Sequence, residues 1–233
     1  ISKSKNTYVS AHISNKILLT YFFKTLKFKL LITSLPDLGK FFFQRHDNNY
    51  TKYIYIFHSL ASVHAQYFND SFKYFDEIFC ATNYHVREIK FIEEKYNQNK
   101  KTILKYGYPR IENLNKFKDK SKFFFQKKIL IAPSWGHDLI FKKTIPKLIK
   151  FLLELNYEVT LRPHVQTLIN NKKDIDKIID IFNQEKGFIF DSSNSSFDSL
   201  LENYVMISDW GTVSSDFILG LNKPVIFLNT QSK

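Results

Sequence analysis

Tyr204-Val-Met-Ile-Ser-Asp-Trp-Gly-Thr-Val-Ser-Ser-Asp-Phe-Ile-Leu-Gly-Leu-Asn-Lys-Pro-Val-Ile-Phe-Leu-Asn229 is the stretch that decides how the chain is read. It opens on an apolar run, residues 205–207, too short for a helix, and closes on a second run, 225–228, just after Pro224. Between them Val213, Phe217, Ile218 and Leu221 recur at helical spacing. Strand, turn, helix, strand is the unit of a parallel α/β sheet. The turn from Ser208 to Thr212 therefore lies at a strand's carboxyl end and a helix's amino end, where free N–H groups and the positive end of the helix dipole converge. Such a place binds phosphate. Taken alone, the turn reads first as helix capping by Asp209 or Thr212, and only second as an anion site.

The 233 residues suffice for one large domain or two small ones with a real core. A hydrophobic content of 44%, with 17% aromatics, belongs to a folded globular protein. The net charge of +12 points to nucleic acid, an anionic membrane or a phosphorylated ligand. Only Arg45, Arg87, Arg110 and Arg162 are arginines, so the excess is lysine, whereas a nucleic-acid groove more often uses arginine forks. No specific nucleic-acid partner is expected. Cys80 is the single cysteine, which excludes an internal disulfide and suits a reducing compartment. No signal peptide is recognised. The best membrane-spanning candidate, residues 17–35, is interrupted by Lys24, Lys27 and Lys29.

Along the chain, strands and helices alternate. Residues 16–29 suggest an amphipathic helix packed on a sheet, with a membrane-surface helix as the alternative. Strands are expected at 30–33, 53–57, 77–81 and 102–106, with helices beginning near Ser62 and after Thr82 or Asn83. Residues 113–128 are basic and nearly patternless and read as the link between two domains, 1–115 and 128–233. Beyond it, strands are expected at 129–133, 157–161 and 188–190, and helices at 143–155, 173–185 and 197–202, ahead of the opening unit. The fold class is α/β, two doubly wound halves with parallel sheets. The first half shows no opening strands of its own and the second ends on a strand, so the reading allows for a fragment.

In open parallel sheets ligands bind beyond the carboxyl ends of the strands. This sequence places there His58-Ser59, Pro133-Ser134-Trp135, Arg162-Pro163-His164 and Asp209-Trp210-Gly211-Thr212. Two histidines, an arginine, hydroxyls and a helix amino terminus suit a pyrophosphate with a reacting oxygen nearby. Pro163 forces Arg162 out of the helical region and presents Arg162 and His164 at the strand tip. His58 is balanced between that use and a histidine satisfied by backbone, while His12, His46, His64, His85 and His137 read as surface or supporting residues. No Gly-rich dinucleotide or P-loop motif, paired carboxylates, nucleophile elbow or zinc spacing is present.

As a set and in order from about Phe57 to the end, His58-Ser59, Tyr106-Gly-Tyr-Pro-Arg110, Ile131-Ala-Pro-Ser-Trp135, Arg162-Pro-His164, Ser208-Asp-Trp-Gly-Thr and Lys223-Pro-Val-Ile-Phe227 resemble the CDP-glycerol glycerophosphotransferase family, the teichoic-acid polymerase-like proteins of bacteria. The resemblance implies a GT-B fold, with a Rossmann-like acceptor-side domain first, a Rossmann-like nucleotide-donor domain second, and the acceptor in a cleft. It also implies a cytoplasmic protein held peripherally on the inner membrane face, where a lipid-linked acceptor lies. His58 stands at the family's His-Gly histidine, although Ser59 replaces the glycine, and His164 matches its second important histidine. Gly211-Thr212 stand where the family has paired serines.

The function expected is transfer of glycerol phosphate from CDP-glycerol to a hydroxyl of a teichoic-acid-like glycopolymer precursor, by attack on the glycerol-bearing phosphorus with CMP leaving. Positioning and charge stabilisation carry most of such a reaction. His58 and His164 are the expected catalytic residues, and Arg162, Ser134, Asp209, Gly211, Thr212 and Val213 the donor-phosphate residues. No metal site and no cofactor beyond the donor substrate are expected. A GT-B glycosyltransferase using a nucleotide sugar is the nearest alternative, and a non-catalytic polyanion- or membrane-binding module the alternative of another class.

Overall fold

The computed structural model describes residues 15–25, 27–46, 50–118, 127–136, 140–193, 195–209 and 211–229. His12, His137, Trp210 and residues 119–126 of the expected link lie outside them. Described residues up to Tyr108 form one compact unit and those from Pro109 onward a second.

The first unit is a four-stranded parallel sheet in the order β1 (Leu30–Thr33), β2 (Lys52–Ile56), β3 (Glu77–Cys80), β4 (Thr102–Lys105). Among the described residues its strands advance in one direction without a reversal. Helix α1 (Lys16–Thr25) precedes them, and α2 (Val63–Gln66) and α3 (Asn83–Lys95) lie between strands. Tyr53, Tyr55 and Phe57 alternate along and just past β2, so all three point to one face. They meet Phe43, Phe72 and Phe75 in an aromatic core. Tyr55 is its hub, with edge contacts to Phe57, Phe72 and Phe75 at 4.7–5.4 Å between ring centres. Each such ring contributes roughly 2–3 kcal/mol of burial. Thr82 caps α3 by accepting the amide of His85. Helix α1 buries no residue: Ile17, Leu18 and Tyr21 are exposed, and only Phe23 turns onto the core.

The second unit is a five-stranded parallel sheet in the order β7 (Phe188–Phe190), β6 (Glu158–Leu161), β5 (Lys128–Ile131), β8 (Val205–Ser208), β9 (Val225–Phe227). Numbered within the unit this is 3-2-1-4-5, the order of a Rossmann-like sheet, and it reverses between β5 and β8. Alternation along β5 explains why its sequence reads as an unbroken apolar run. Ile129 and Ile131 face α5 (Ile145–Glu154) and α7 (Lys172–Phe182), while Leu130 and Ala132 face Leu114, Leu200, Phe217 and Leu221. Both faces are therefore covered by helices, as a doubly wound unit requires. The π-helical turn Ile140–Thr144 leads into α5.

Helix α4 (Pro109–Asn115) falls in the second unit, which corrects the expected first domain of 1–115. Gly107, at φ 83°, turns the chain, and Pro109 supplies a preset first helical residue. The physical reason for its place is Leu114, fully buried against the last helix of the unit. That helix starts as α9 (Val213–Ser215) and widens into a π-helical segment, Asp216–Gly220. A Cβ on Gly220 would lie 2.8 Å from Cβ of Leu114 and 2.7 Å from its Cδ1. Helix propensity favours alanine over glycine by about 1 kcal/mol, but overpacking costs about 1–3 kcal/mol. Because one clashing atom is Cβ, which no rotamer can move, the clash wins. Gly220→Ala should lower stability in denaturant unfolding, and a gain in stability would contradict this contact.

Candidate functional site

The carboxyl ends of β5, β6 and β8 gather the second unit's chemistry on one sheet edge, beside the reversal. The chain runs from β8 into Asp209, which is fully buried. Its Oδ1 accepts the amides of Ser134 at 2.8 Å and Gly211 at 3.2 Å, and its Oδ2 accepts the Ser134 hydroxyl at 2.6 Å. The Ser208 hydroxyl donates to the Ala132 carbonyl at 2.7 Å. Two strand ends are thus tied by side chains at the point where neighbouring connections part. Asp209 was expected to help hold phosphate; instead its carboxylate is spent on the loop, and it takes up the one proton that Ser134 can donate.

Gly211 packs closely on that tie, since a Cβ there would sit 3.3 Å from Ser134 Cβ and 3.4 Å from Asp209 Oδ1. Thr212 follows in helical conformation and makes no side-chain cap bond. The Ser214 amide and hydroxyl both return to the Gly211 carbonyl, at 3.2 and 2.6 Å, and the Ser215 amide to Thr212. The amides of Thr212 and Val213 donate to no acceptor among the described residues. Helix capping by Asp209 or Thr212, the first sequence reading of this turn, is therefore not what the turn does.

Across β5, at the end of β6, His164 is exposed and caps α6 (Val165–Asn170), a helix the sequence reading missed. Its Nδ1 accepts the Gln166 amide at 3.1 Å, and desolvation holds its pKa below the ordinary imidazole value. The neutral ring then carries its proton on Nε2, a donor left for a ligand. Trp135, half exposed, lies 6.4 Å from the His164 ring. Arg162 does not join them. Its guanidinium donates to Asp191, just past β7, at 2.5 Å and to the Ser193 hydroxyl and carbonyl at 3.0 and 2.8 Å. The expected phosphate-binding role for Arg162 meets a side chain only 12% exposed and already committed to an ion pair.

In the first unit, His58 is exposed just beyond β2 and receives the Tyr108 hydroxyl on its carbonyl at 2.9 Å. Ser59 is buried and donates to Gln66 at 2.9 Å. His85, expected as a surface or supporting residue, is buried and stacks on Phe57 at 3.9 Å. Its Nε2 bonds the Ala61 carbonyl at 3.0 Å, and burial keeps its pKa low, so the ring is a neutral prop under the His58 loop. Nothing local marks it, because the burial comes from β2 packing on α3. Among the described residues no three His, Cys, Asp or Glu side chains are gathered as metal ligands, and no helix is long and apolar enough to cross a membrane.

A parallel sheet in this order, with its polar residues at the reversal, defines a Rossmann-like α/β unit. Residues 40–232 match the family described as CDP-Glycerol:Poly(glycerophosphate) glycerophosphotransferase, and the chain belongs to that family of transferases. A relative is the minor teichoic acid biosynthesis protein GgaB of Bacillus subtilis (strain 168), 26% identical over 204 residues that make up 76% of this chain and 21% of the relative. The chain thus spans about a fifth of that protein's length. Among solved structures, a UDP-N-acetylglucosamine 2-epimerase candidate from Listeria monocytogenes aligns with a TM-score of 0.43 at 16% identity, over 68% of this chain and 43% of that one. The architecture stands on the strand order above, not on that likeness.

The Arg162–Asp191 pair has a measurable consequence. Burial acts to raise the Asp191 pKa, but hydrogen bonds from Ser193, Ser199 and Arg162 overcome it and hold the carboxyl at about 2. A depressed folded pKa means stability that is present above the unfolded value of 3.8 and is lost as pH falls through about 2. Unfolding titrations should show Asp191→Asn to be less stable than the parent at neutral pH, with the gap closing between about pH 4 and 2. A gap independent of pH would remove the carboxylate from the account.

Proposed function

We propose that this chain transfers glycerol phosphate from CDP-glycerol to a hydroxyl on a teichoic-acid-like glycopolymer precursor. The observation that supports it best is the pair of amides at Thr212 and Val213, which have no acceptor among the described residues. They sit beside the sheet reversal, on the edge that also carries the Nε2–H of His164, in a chain of this family. Amide donors at a helix amino end attract phosphate through both their hydrogen bonds and the aligned backbone dipoles.

In this reading the Thr212 and Val213 amides and His164 Nε2–H hold the donor's diphosphate. Gly211 keeps the turn free of a side chain, and Ser134 and Asp209 fix its position. The acceptor oxygen attacks the glycerol-bearing phosphorus. Its bond to the bridging oxygen breaks, CMP leaves with the electron pair, and His58 takes the acceptor's proton. Charge developing on the departing phosphate is met by donors already oriented, which is where most of the rate in phosphoryl transfer arises. The acceptor is lipid-linked and the protein works peripherally at the inner membrane face, a reading favoured by the exposed Ile17, Leu18 and Tyr21 of α1 beside Lys16 and Lys24.

Calorimetry with CMP, CDP-glycerol and UDP-sugars, alongside a transfer assay, tests the donor assignments. Thr212 has φ −68°, which suits a proline ring, so Thr212→Pro deletes one amide donor without forcing the backbone. Its CMP affinity should fall about ten- to a hundredfold, the worth of a hydrogen bond to a charged group. His164→Ala should weaken CMP as well. His58→Ala should leave CMP affinity intact and lower turnover by roughly 10²- to 10⁴-fold. Preference for a UDP-sugar would mark a glycosyltransferase, and equal, salt-labile binding of any polyanion would mark a non-catalytic module.

Membrane attachment is checked separately by vesicle sedimentation at low salt. Anionic vesicles should retain the protein better than neutral ones, each lysine near the surface adding up to about 1 kcal/mol. Equal retention on both rejects the peripheral reading.

A further inference from the structure

Arg110 has no part in the chemistry above, yet its guanidinium reaches the helix that begins at the proposed phosphate turn. Its Nε donates to Oδ2 of Asp216, and its Nη2 donates to the Ser196 hydroxyl at 2.5 Å, just ahead of α8 (Phe197–Glu202). Asp216 lies four residues beyond Thr212, one helical turn on, with its side chain 8% exposed. Arg110 is 39% exposed, and its Nη1 is bonded to nothing among the described residues.

An ionised carboxylate near a helix amino end suits the helix but competes with any second anion at the same pole. An isolated buried carboxylate one turn from a bound phosphate would repel it in a region where water screens poorly. Attachment of α4 does not need the ion pair, because Leu114 already packs fully buried against Gly220. Replacing a buried ion pair by neutral groups of similar shape is often harmless to stability, so the pair is poorly explained as a fastening.

We propose that Arg110 is a positioning residue for donor binding, which cancels the Asp216 carboxylate so that the helix amino end keeps its attraction for the donor's phosphate. The proposal rests on the reading of Thr212 and Val213 as the phosphate turn. It assigns a task to the Tyr-Pro-Arg segment through charge and not through contact with substrate.

Charge and fastening make opposite demands on four proteins: the parent, Arg110→Met, Asp216→Asn and the double variant. CMP is titrated calorimetrically into each. Burial raises the Asp216 pKa against the opposing pull of Arg110, so the titrations are run at about pH 8, where the carboxyl is favoured in its charged form. There Arg110→Met leaves a negative charge without its cation and should bind CMP more weakly, on the order of tenfold. The double variant restores neutrality and should return close to the parent, and Asp216→Asn should bind at least as tightly as the parent. If Asp216→Asn loses affinity as Arg110→Met does and the double variant recovers nothing, the pair is only a fastening and the proposal is overturned. Parent-like binding by Arg110→Met overturns it too. Should Arg110→Met not fold, the comparison of Asp216→Asn and the double variant with the parent still decides. A parent protein that binds no CMP would instead overturn the phosphate-turn reading itself.

Discussion

The carboxylate of Asp209 holds the second unit's working edge together. Where a parallel sheet reverses its strand order, the connections from the two central strands leave toward opposite faces, and the crevice between them has no helix to close it. Here that crevice is spanned from within. A fully buried carboxylate at the end of β8 draws in the amide and hydroxyl of Ser134 from β5 and the amide of Gly211 from its own turn. Burying a charge costs several kcal/mol unless donors replace water, and three are supplied. Removing the carboxylate would leave two half-buried N–H groups unpaired and the two strand ends joined at this point by the Ser208 hydroxyl. The position of every other group on the edge, the Thr212 and Val213 amides included, depends on that tie.

How much of this was legible differs by element. The strands were readable because each is an apolar run bounded by turn residues, and the doubly covered sheet makes such runs nearly unavoidable: Ile129, Leu130, Ile131 and Ala132 are all core. The strand-end polar residues were readable for the same reason, since whatever follows such a run lands on the carboxyl edge. Which partners those residues take was not. Arg162 finds Asp191 and Arg110 finds Asp216, pairings 29 and 106 residues apart that only the folded sheet creates. Short helices were lost too. α4 and α6 have six or seven residues, too few to show a period, and their starts depend on Pro109 and on the ring nitrogen of His164. The expected packing of α1 against a sheet also failed, because its apolar residues divide, with Phe23 turned inward and Ile17, Leu18 and Tyr21 outward.

The chain's charge separates into two populations with different physics. Lysines supply nearly all of the +12 and mostly stand in solvent, where a flexible ammonium interacts weakly with any one partner. Lys101 and Lys223 are exceptions. Lys101 is buried beside Glu93 and donates to the Asn99 carbonyl at 2.8 Å. The buried Nζ of Lys223 donates to the carbonyls of Leu200, Leu201 and Asn203, closing the end of α8, and burial lowers its pKa to about 8. The four arginines are used otherwise. Arg45 bonds Asp76, Arg110 bonds Asp216, Arg162 bonds Asp191, and Arg87 lies over the Tyr84 ring. A planar fork held by several directed bonds fixes a loop in a way that an ammonium cannot. The sequence reading weighed Arg162 as a ligand group because it stands at a strand end; its guanidinium is instead held by Asp191 and Ser193, as those of Arg45 and Arg110 are held by carboxylates. The excess charge therefore sits mainly on solvent-facing lysines, while the donors left over on the carboxyl edge of the second sheet, the amides of Thr212 and Val213 and the Nε2–H of His164, are neutral and need no counter-charge to be held in place.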